Sequence, residues 1–405
     1  MGTGAPQLRH RGRGGLTHNG NMNALDGIRI LDCSRVLAGP WCTQTLADLG
    51  ADVIKLESFD GDDTRGLGPP FLDGLSAYFA CCNRNKRSLA IDLRAPSARP
   101  LLEALVREAD VLVENYRTGG AEALGVGYDE LARINPRLVY CSISGYGRSG
   151  PGANLPGYDY VVQAEAGMMA ITGPADGGAY KAGVAVADLA TGQNAATAIL
   201  AALLQRHRTG RGQRIDVSLF DSQLAMLANV GSNALFTGTD APRQGNAHAS
   251  IVPYQAFMAR DREFVLAVAS EKLWLQACQA LGREDWLRDP RFGNNAARVQ
   301  HRQALCAEMA ALFATEDAAH WLELFSQAGV PAAPINTVRQ ALDHPVATAG
   351  GMRVVIDGIP MVGSPLRLSA SPLRLERAPP TLGQHSDEIA REYGFVPELL
   401  RHEGA

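Results

Sequence analysis

The carboxylate of Asp188 lies where a run of small residues meets a run of strong helix formers. The composition between Ala195 and Gln205 predicts a buried helix that begins near Asp188. Four residues form the apolar stripe of this helix: Ile199, Leu200, Leu203 and Leu204. An Asp before a helical run can accept hydrogen bonds from the first free backbone N–H groups, so one interpretation of Asp188 is an ordinary helix cap.

The second interpretation is that Asp188 meets a substrate. The residues near it in sequence are small: Gly183, Ala185, Ala187, Ala190 and Gly192. A cap needs no such clearance, whereas a large acyl group does. The surroundings therefore favour a carboxylate that faces a substrate.

Composition limits the classes of function. The chain has 405 residues, of which 46% are hydrophobic and 20% charged, and this length is enough for two domains. A net charge of −4 predicts no attraction to nucleic acid or to an anionic membrane. The seven cysteines are scattered and never spaced as metal ligands, which favours a reduced, cytoplasmic protein without a metal site. Residues 1–23 contain several arginines and no acidic residue, and we expect a disordered extension there.

From Leu25 onward, strand and helix patterns alternate. A strand at 28–31, a helix at 41–49 and a strand at 51–57 form a βαβ unit. Two helix–strand pairs follow: a helix at 101–108 with a strand at 111–114, and a helix at 128–134 with a strand at 138–142. This alternation predicts an α/β fold with a mostly parallel sheet covered on both faces, and hence a Rossmann-like large domain. Long helical patterns after residue 270 predict a smaller domain at 223–330.

The segment Gly145–Gly150, GYGRSG, fits the dinucleotide fingerprint GxGxxG. That motif requires a helix directly after it, and Pro151 and Pro156 exclude one here. We therefore interpret the segment as a glycine-rich loop.

Seven blocks of sequence, taken in order, resemble the family III (CaiB/BaiF) CoA-transferases. The blocks are LDCSRVLAGP (31–40), ADVIKLESFDGDDTRGLGPP (51–70), NRNKRSLAIDL (83–93), ADVLVENYRTGG (109–120), NPRLVYCSISGYG (135–147), PGYDYVVQAEAGMMAITG (156–173) and RTGRGQRIDVSLFD (208–221). The similarity extends from Leu25 to the C-terminal APPTLGQHSDE. The stretch GNAHASIVPYQ (245–255) resembles members that act on succinyl-CoA and small dicarboxylic or hydroxy acids.

The resemblance implies a large domain built from 24–222 and 331–405, a small α/β domain from 223–330, and two identical subunits interlocked as a dimer. It also implies a catalytic aspartate in the segment G-D-x-x-x-G. The corresponding residues here are Ala187, Asp188 and Gly192. Both arguments therefore indicate Asp188.

Coenzyme A is the co-substrate that the resemblance implies, and no metal is needed. The family's CoA-binding blocks correspond to Val36, Leu37, Ala38, Ile91, Asp92, Leu93, Arg94, Asn115, Tyr116 and Arg117. Some members hold the phosphates with an arginine where this chain has Ala123, so the phosphate contacts must come from elsewhere, and Arg94 and Arg117 are candidates. Arginine suits phosphate because its planar guanidinium binds two oxygens at once, although each of these arginines is equally well explained as a surface charge.

The expected chemistry follows from the carboxylate. Asp188 attacks the thioester of an acyl-CoA, giving a mixed anhydride and CoA thiolate, and the thiolate returns to leave CoA on Asp188. An aspartate is ordinarily ionised at neutral pH, so no strong base is required. The site must exclude water and supply N–H donors to the oxyanion.

Four residues are candidates for the acceptor acid: Tyr158, Asp159, Asn246 and His248. For Asp159 a structural helix cap is the alternative, and for Asn246 and His248 it is an ordinary polar loop. Related racemases carry a proton-transferring histidine where this chain has Tyr158. A phenol with a pKa near 10 is a poor base at pH 7, so the racemase alternative ranks below CoA transfer.

Overall fold

Short runs of β-branched and apolar residues form the strands of this protein, whose computed structural model describes residues 22–397. The extension expected over 1–23 falls almost wholly outside those residues. The strands are β1 (Arg29–Asp32), β2 (Asp52–Glu57), β3 (Phe71–Leu72), β4 (Leu75–Ser76), β5 (Lys86–Ala90), β6 (Val111–Glu114), β7 (Val139–Ser144), β8 (Arg214–Ser218), β9 (Tyr254–Met258), β10 (Glu263–Ala267), β11 (Ala332–Pro334), β12 (Arg353–Ile356) and β13 (Ile359–Val362).

The helices are α1 (Ala38–Asp48), α2 (Ala77–Ala80), α3 (Arg99–Glu108), α4 (Gly120–Ala123), α5 (Tyr128–Ile134), α6 (Asp159–Glu165), α7 (Met168–Ile171), α8 (Val186–Thr209), α9 (Leu219–Ala225), α10 (Ala228–Thr237), α11 (Glu271–Ala280), α12 (Asp285–Arg288), α13 (Asn295–Gln300), α14 (Arg302–Phe313), α15 (Ala318–Gln327), α16 (Val338–Leu342), α17 (Pro345–Ala349) and α18 (Ser386–Glu392). Helix α1 begins three residues before the predicted start, because Pro40 is tolerated in its first turn.

Six strands form a parallel sheet in the order β5-β2-β1-β6-β7-β8. Ile30 of β1 pairs with Val53 on one side and with Val111 on the other. The chain leaves β1 toward β2 and leaves β6 toward β7, so the two connections diverge. In open α/β sheets such a divergence opens a crevice at the carboxyl ends of the strands, where ligands bind.

Both faces of this sheet are covered, which confirms the predicted α/β fold with a parallel sheet. One face packs against α3, α5 and the C-terminal α18, and the other packs against α1 and α8. A third apolar core consists of residues between Val252 and Ala332 and lies around the antiparallel sheet β11-β10-β9.

The long helix α8 is buried on one face only. Ile199 is fully buried, and small residues such as Ala195 and Ala202 let α8 approach α1 closely. Leu200 and Leu204 are 38% and 58% exposed. The prediction that the whole stripe is buried is therefore wrong, because these two side chains lie outside the face that packs on the sheet.

Candidate active site

The crevice where β1 and β6 diverge is a cavity of about 440 Å³. Nine of the residues singled out in the sequence line it: Val36, Leu37, Ala38, Asn115, Tyr116, Arg117, Tyr158, Asp159 and Asp188. They come from the loop after β1, the loop after β6, the start of α6 and the first turn of α8. The topology thus brings together segments that are up to 152 residues apart in the chain.

Six other candidates do not line this cavity. Ile91 is buried in the core beyond β5, together with the half-buried Leu93, while Asp92 accepts a hydrogen bond from the backbone N–H of Arg94 at 2.9 Å. The side chain of Arg94 is exposed. Their roles in binding CoA stay predictions.

The loop that carries Asn246 and His248 also lies outside the cavity lining. The ring of His248 packs near that of Tyr254, with centroids 5.3 Å apart, and its Nδ1 accepts the N–H of Ser250 at 3.0 Å. Asn246 is exposed. Their contact with an acceptor acid likewise stays a prediction.

Asp188 is the third residue of α8, so it does not occupy the cap position, which belongs to Ala185. Its carboxylate is partly buried at the cavity wall, and no group of residues 22–397 donates a hydrogen bond to it. Burial and the neighbouring Asp159 raise the pKa of Asp188 to about 7. This raised pKa differs from the ordinary value on which the expectation of an ionised aspartate at pH 7 was based.

Asp159 is the first residue of α6, but its side chain caps the start of another helix, α8. One carboxylate oxygen accepts the N–H groups of Ala187 at 2.8 Å and Asp188 at 3.3 Å, which are the second and third residues of α8. The other oxygen accepts Nε2 of Gln163 at 2.7 Å, and Gln163 in turn accepts the N–H of Ala182 at 2.9 Å. Asp159 therefore fixes the first turn of α8 and contributes the charge that raises the pKa of Asp188.

Asn115 holds the loop after β1. Its Oδ1 accepts the N–H of Arg35 at 3.0 Å, and its Nδ2 donates to the carbonyl oxygen of Arg35 at 2.7 Å. At the start of α1, no acceptor among the described residues takes the N–H groups of Leu37, Ala38 or Gly39. These donors lie at the positive end of the helix dipole, beside the cavity.

Arg117 and Arg35 supply positive charge at the cavity. Arg117 is exposed, and its guanidinium has no hydrogen-bond or ion-pair partner within residues 22–397. Arg35, which was not among the candidates, also lines the cavity, and its guanidinium lies 3.2 Å from Asp63. Arg35 lies in the block LDCSRVLAGP (31–40), directly before Val36, and this position was the signal that could have identified it.

Arg148 is a second cavity residue that was not among the candidates. It lies in the GYGRSG segment, which is a loop as predicted. Its guanidinium donates to Oγ of Ser142 at 2.7 Å, to the carbonyl oxygen of Tyr116 at 2.6 Å and to Glu114 at 3.0 Å. It therefore joins the ends of β6 and β7.

The glycines in this segment allow a close approach of two backbones. A Cβ built on Gly145 would lie 2.5 Å from Cα of Gly157, so neither position has space for a side chain. This contact places Gly157, and with it Tyr158 and Asp159, at the cavity wall.

The sequence matches the profile of the family described as CoA-transferase family III over residues 25–386. The chain belongs to this family. It is 42% identical over 391 residues to succinyl-CoA:glutarate CoA-transferase of Mus musculus, covering 94% of this chain and 90% of the mouse protein. It is also 42% identical over 385 residues to succinate–glutarate CoA-transferase of Agrobacterium fabrum, covering 91% and 95% of the two chains.

The crystal structure of a CaiB/BaiF family protein from Brucella suis superimposes with a TM-score of 0.84 at 43% identity, covering 92% of this chain and all of that one. These similarities confirm the resemblance found in the sequence, and they show that this enzyme is a CoA-transferase. CoA is accordingly its co-substrate.

Within the described residues, no three His, Cys, Asp or Glu side chains are grouped so that they could hold a metal ion. None of the described helices is long and apolar enough to cross a membrane.

Proposed function

We propose that this enzyme moves CoA from succinyl-CoA to a small carboxylic, dicarboxylic or hydroxy acid, through a thioester between CoA and Asp188. The observation that carries the proposal is the carboxylate of Asp188, which receives no hydrogen bond from residues 22–397 and lines a cavity of about 440 Å³ at the switch point of the sheet. The relatives named for succinate and glutarate make glutarate the first acceptor to test.

In the first step, a carboxylate oxygen of Asp188 attacks the thioester carbon and expels CoA thiolate, leaving a mixed anhydride. The thiolate then attacks Cγ of Asp188 in the anhydride, which releases the donor acid and leaves the aspartyl-CoA thioester. The acceptor carboxylate reverses these two steps and departs as the new acyl-CoA. Because no donor among the described residues binds the carboxylate of Asp188, its negative charge is not stabilised by hydrogen bonds before the reaction, which favours attack.

The N–H groups of Leu37 and Ala38, which find no acceptor in the described part of the chain, are suited to stabilise the oxyanion of each tetrahedral intermediate. Their position relative to α8 supports this role, because a Cβ built on Gly192 would lie only 2.7 Å from the carbonyl oxygen of Ala38. Arg35 and Arg117 are the cavity residues best suited to the CoA phosphates.

The proposal includes an interlocked homodimer and the division into a large domain (24–222 with 331–405) and a small one (223–330). Support comes from large apolar side chains that are left exposed within residues 22–397: Leu204, Leu235 and Phe236 are 58%, 86% and 90% exposed. For the loop of Asn246 and His248 and for the segment 91–94, the roles in binding acceptor and CoA stay predictions. A cytoplasmic location also stays a prediction.

The test is to trap the thioester. The enzyme is incubated with succinyl-CoA and then with hydroxylamine or borohydride, and peptides are mapped by mass spectrometry. We expect modification of Asp188 in the wild type and none in Asp188→Asn, a variant of nearly equal size that lacks the nucleophile. Exchange of CoA between succinate and glutarate without any modification of Asp188 would contradict the mechanism.

The racemase alternative gains no support from the site. The position of the proton-transferring histidine is occupied by Tyr158, whose side chain is largely exposed. Absence of exchange of the α-proton in deuterated water would exclude this activity.

A further inference from the structure

The loop after β1 contains a β-branched residue, Val36, with a backbone φ of +70°. Residues with a side chain rarely adopt this left-handed conformation, and branching at Cβ disfavours it further. It persists only where the surrounding structure holds it. Since Val36 lines the cavity that Asp188 faces, the groups that hold Val36 also shape the cavity wall.

The backbone N–H of Val36 donates to the carboxylate of Asp62, at 3.3 Å from each oxygen. Asp62 is buried and is itself held by three stronger bonds. Its Oδ2 accepts Nζ of Lys55 at 2.9 Å, and its Oδ1 accepts the N–H of Thr64 at 3.0 Å and the hydroxyl of Thr64 at 2.7 Å. The carboxylate is therefore a fixed acceptor under the loop.

Lys55 holds the same loop at a second atom. Its fully buried Nζ also donates to the carbonyl oxygen of Ser34 at 2.8 Å. Burial alone would lower the pKa of Lys55, but the carboxylates of Asp32 and Asp62 raise it above its ordinary value. Burial would raise the pKa of Asp62, and Lys55 lowers it below its ordinary value. The pair therefore stays charged at neutral pH.

A buried ion pair adds little net stability compared with apolar residues of the same size, so a geometric role is the better explanation for it. We propose that the Lys55–Asp62 pair positions the acyl-CoA-binding loop by holding Val36 in the left-handed conformation. The inference rests on the proposed function, since the loop needs this shape only if the cavity binds CoA. Lys55 and Asp62 do not line the cavity, so they act through Val36 as positioning residues.

The test measures CoA binding directly by isothermal titration calorimetry, and KM and kcat with succinyl-CoA as donor. Asp62→Asn keeps the size of the side chain and removes its charge. We expect Kd for CoA and KM for succinyl-CoA to rise about tenfold, with kcat changed less than threefold. The matched control is Asp60→Asn, in the loop after β2 that also carries Asp62. It removes an exposed carboxylate that has no partner among residues 22–397, and it should leave Kd, KM and kcat unchanged.

Val36→Gly separates positioning from a general structural role. Glycine adopts positive φ without strain, so the double variant Val36→Gly with Asp62→Asn should recover at least threefold in Kd relative to Asp62→Asn alone. A variant that acts only through stability would not be rescued by a glycine in the loop.

If Asp62→Asn does not fold, Thr64→Val replaces it, because this change removes one bond to Asp62 and leaves Lys55 paired. We expect a threefold to fivefold rise in Kd. A Kd within twofold of the wild type in Asp62→Asn, or in Thr64→Val where it replaces that variant, overturns the positioning role, as does a double variant no better than Asp62→Asn. Wild-type protein that binds no CoA overturns the proposed function itself, which separates the two failures.

Discussion

At the scale of the residue, the protonation of Asp188 should set the pH dependence of the first chemical step. Burial and Asp159 raise its pKa to about 7, and only the carboxylate form attacks. The single-turnover rate of thioester formation should therefore fall about tenfold from pH 8 to pH 6. Stopped-flow mixing with succinyl-CoA at saturating concentration measures this rate.

The charge of Asp159 provides the control for that profile. In Asp159→Asn the fall of the single-turnover rate on the acidic side should move to lower pH. The variant keeps an oxygen that accepts from the first turn of α8 but loses the negative charge that raises the pKa of Asp188. Asp176→Asn, which removes a carboxylate from an exposed loop, should leave this fall at the same pH. A rate that is independent of pH from 6 to 8 in the wild type would be incompatible with a pKa of about 7.

The same pKa predicts a stability effect of Asp188. Because the folded protein holds the proton more tightly than the unfolded chain, the protonated carboxyl favours the folded state at low pH, and this contribution is lost as pH rises through 7. Asp188→Asn should therefore be more stable than the unliganded wild type at pH 8, by on the order of 1–3 kcal/mol, and equally stable near pH 4. Urea unfolding at the two pH values measures the difference; a variant that is less stable at pH 8 would contradict it.

At the scale of the element, the approach of α1 and α8 depends on one glycine. A Cβ built on Gly192 would lie 2.7 Å from the carbonyl oxygen of Ala38 and 3.1 Å from Cδ1 of Trp41. Gly192→Ala should separate the two helices, reduce the free energy of unfolding by about 1–3 kcal/mol and lower kcat, because Asp188 and the N–H groups of α1 move apart. The control is Gly293→Ala, where the added Cβ makes only an ordinary contact at 3.8 Å. Unchanged kcat in Gly192→Ala would show that the spacing is not critical.

Elements with strong local patterns could be predicted from the sequence. The strand Val111–Glu114 and the helix Tyr128–Ile134 have the predicted bounds, since each is an apolar or periodic run with clear breaks at its ends. Asp188 could be singled out because small residues and a helix start adjoin it.

Contacts between distant segments could not be predicted. Asp159 caps α8, 28 residues away, and this depends on the backbone contact of Gly145 with Gly157. The left-handed Val36 contradicts the preference of its own residue type, because buried charges from β2 and the loop after it decide its conformation. The raised pKa of Asp188 arises from the same kind of nonlocal packing.

At the scale of the whole molecule, the exposed apolar side chains of α10 predict a dimer. Leu235 and Phe236 of α10 are largely exposed, although side chains of this size are normally buried. Phe236→Glu should weaken the dimer, because it would bury a charge in the interface. Sedimentation velocity at several concentrations measures this, with Gln300→Glu as a control that adds the same charge to an exposed helix elsewhere. A wild-type protein that sediments as a monomer at every concentration would exclude the dimer.

Interlocking makes a stricter prediction than dimerisation alone. Two subunits that merely lie side by side exchange partners whenever the interface opens, whereas threaded chains separate only after at least one of them unfolds. A mixture of affinity-tagged and untagged wild-type protein should therefore form no mixed dimers over days under native conditions, and should form them in statistical proportion after unfolding in urea and refolding together. Mass spectrometry of the intact dimers counts the three species. Mixed dimers that form within hours at low protein concentration and without denaturant would show that the subunits associate side by side.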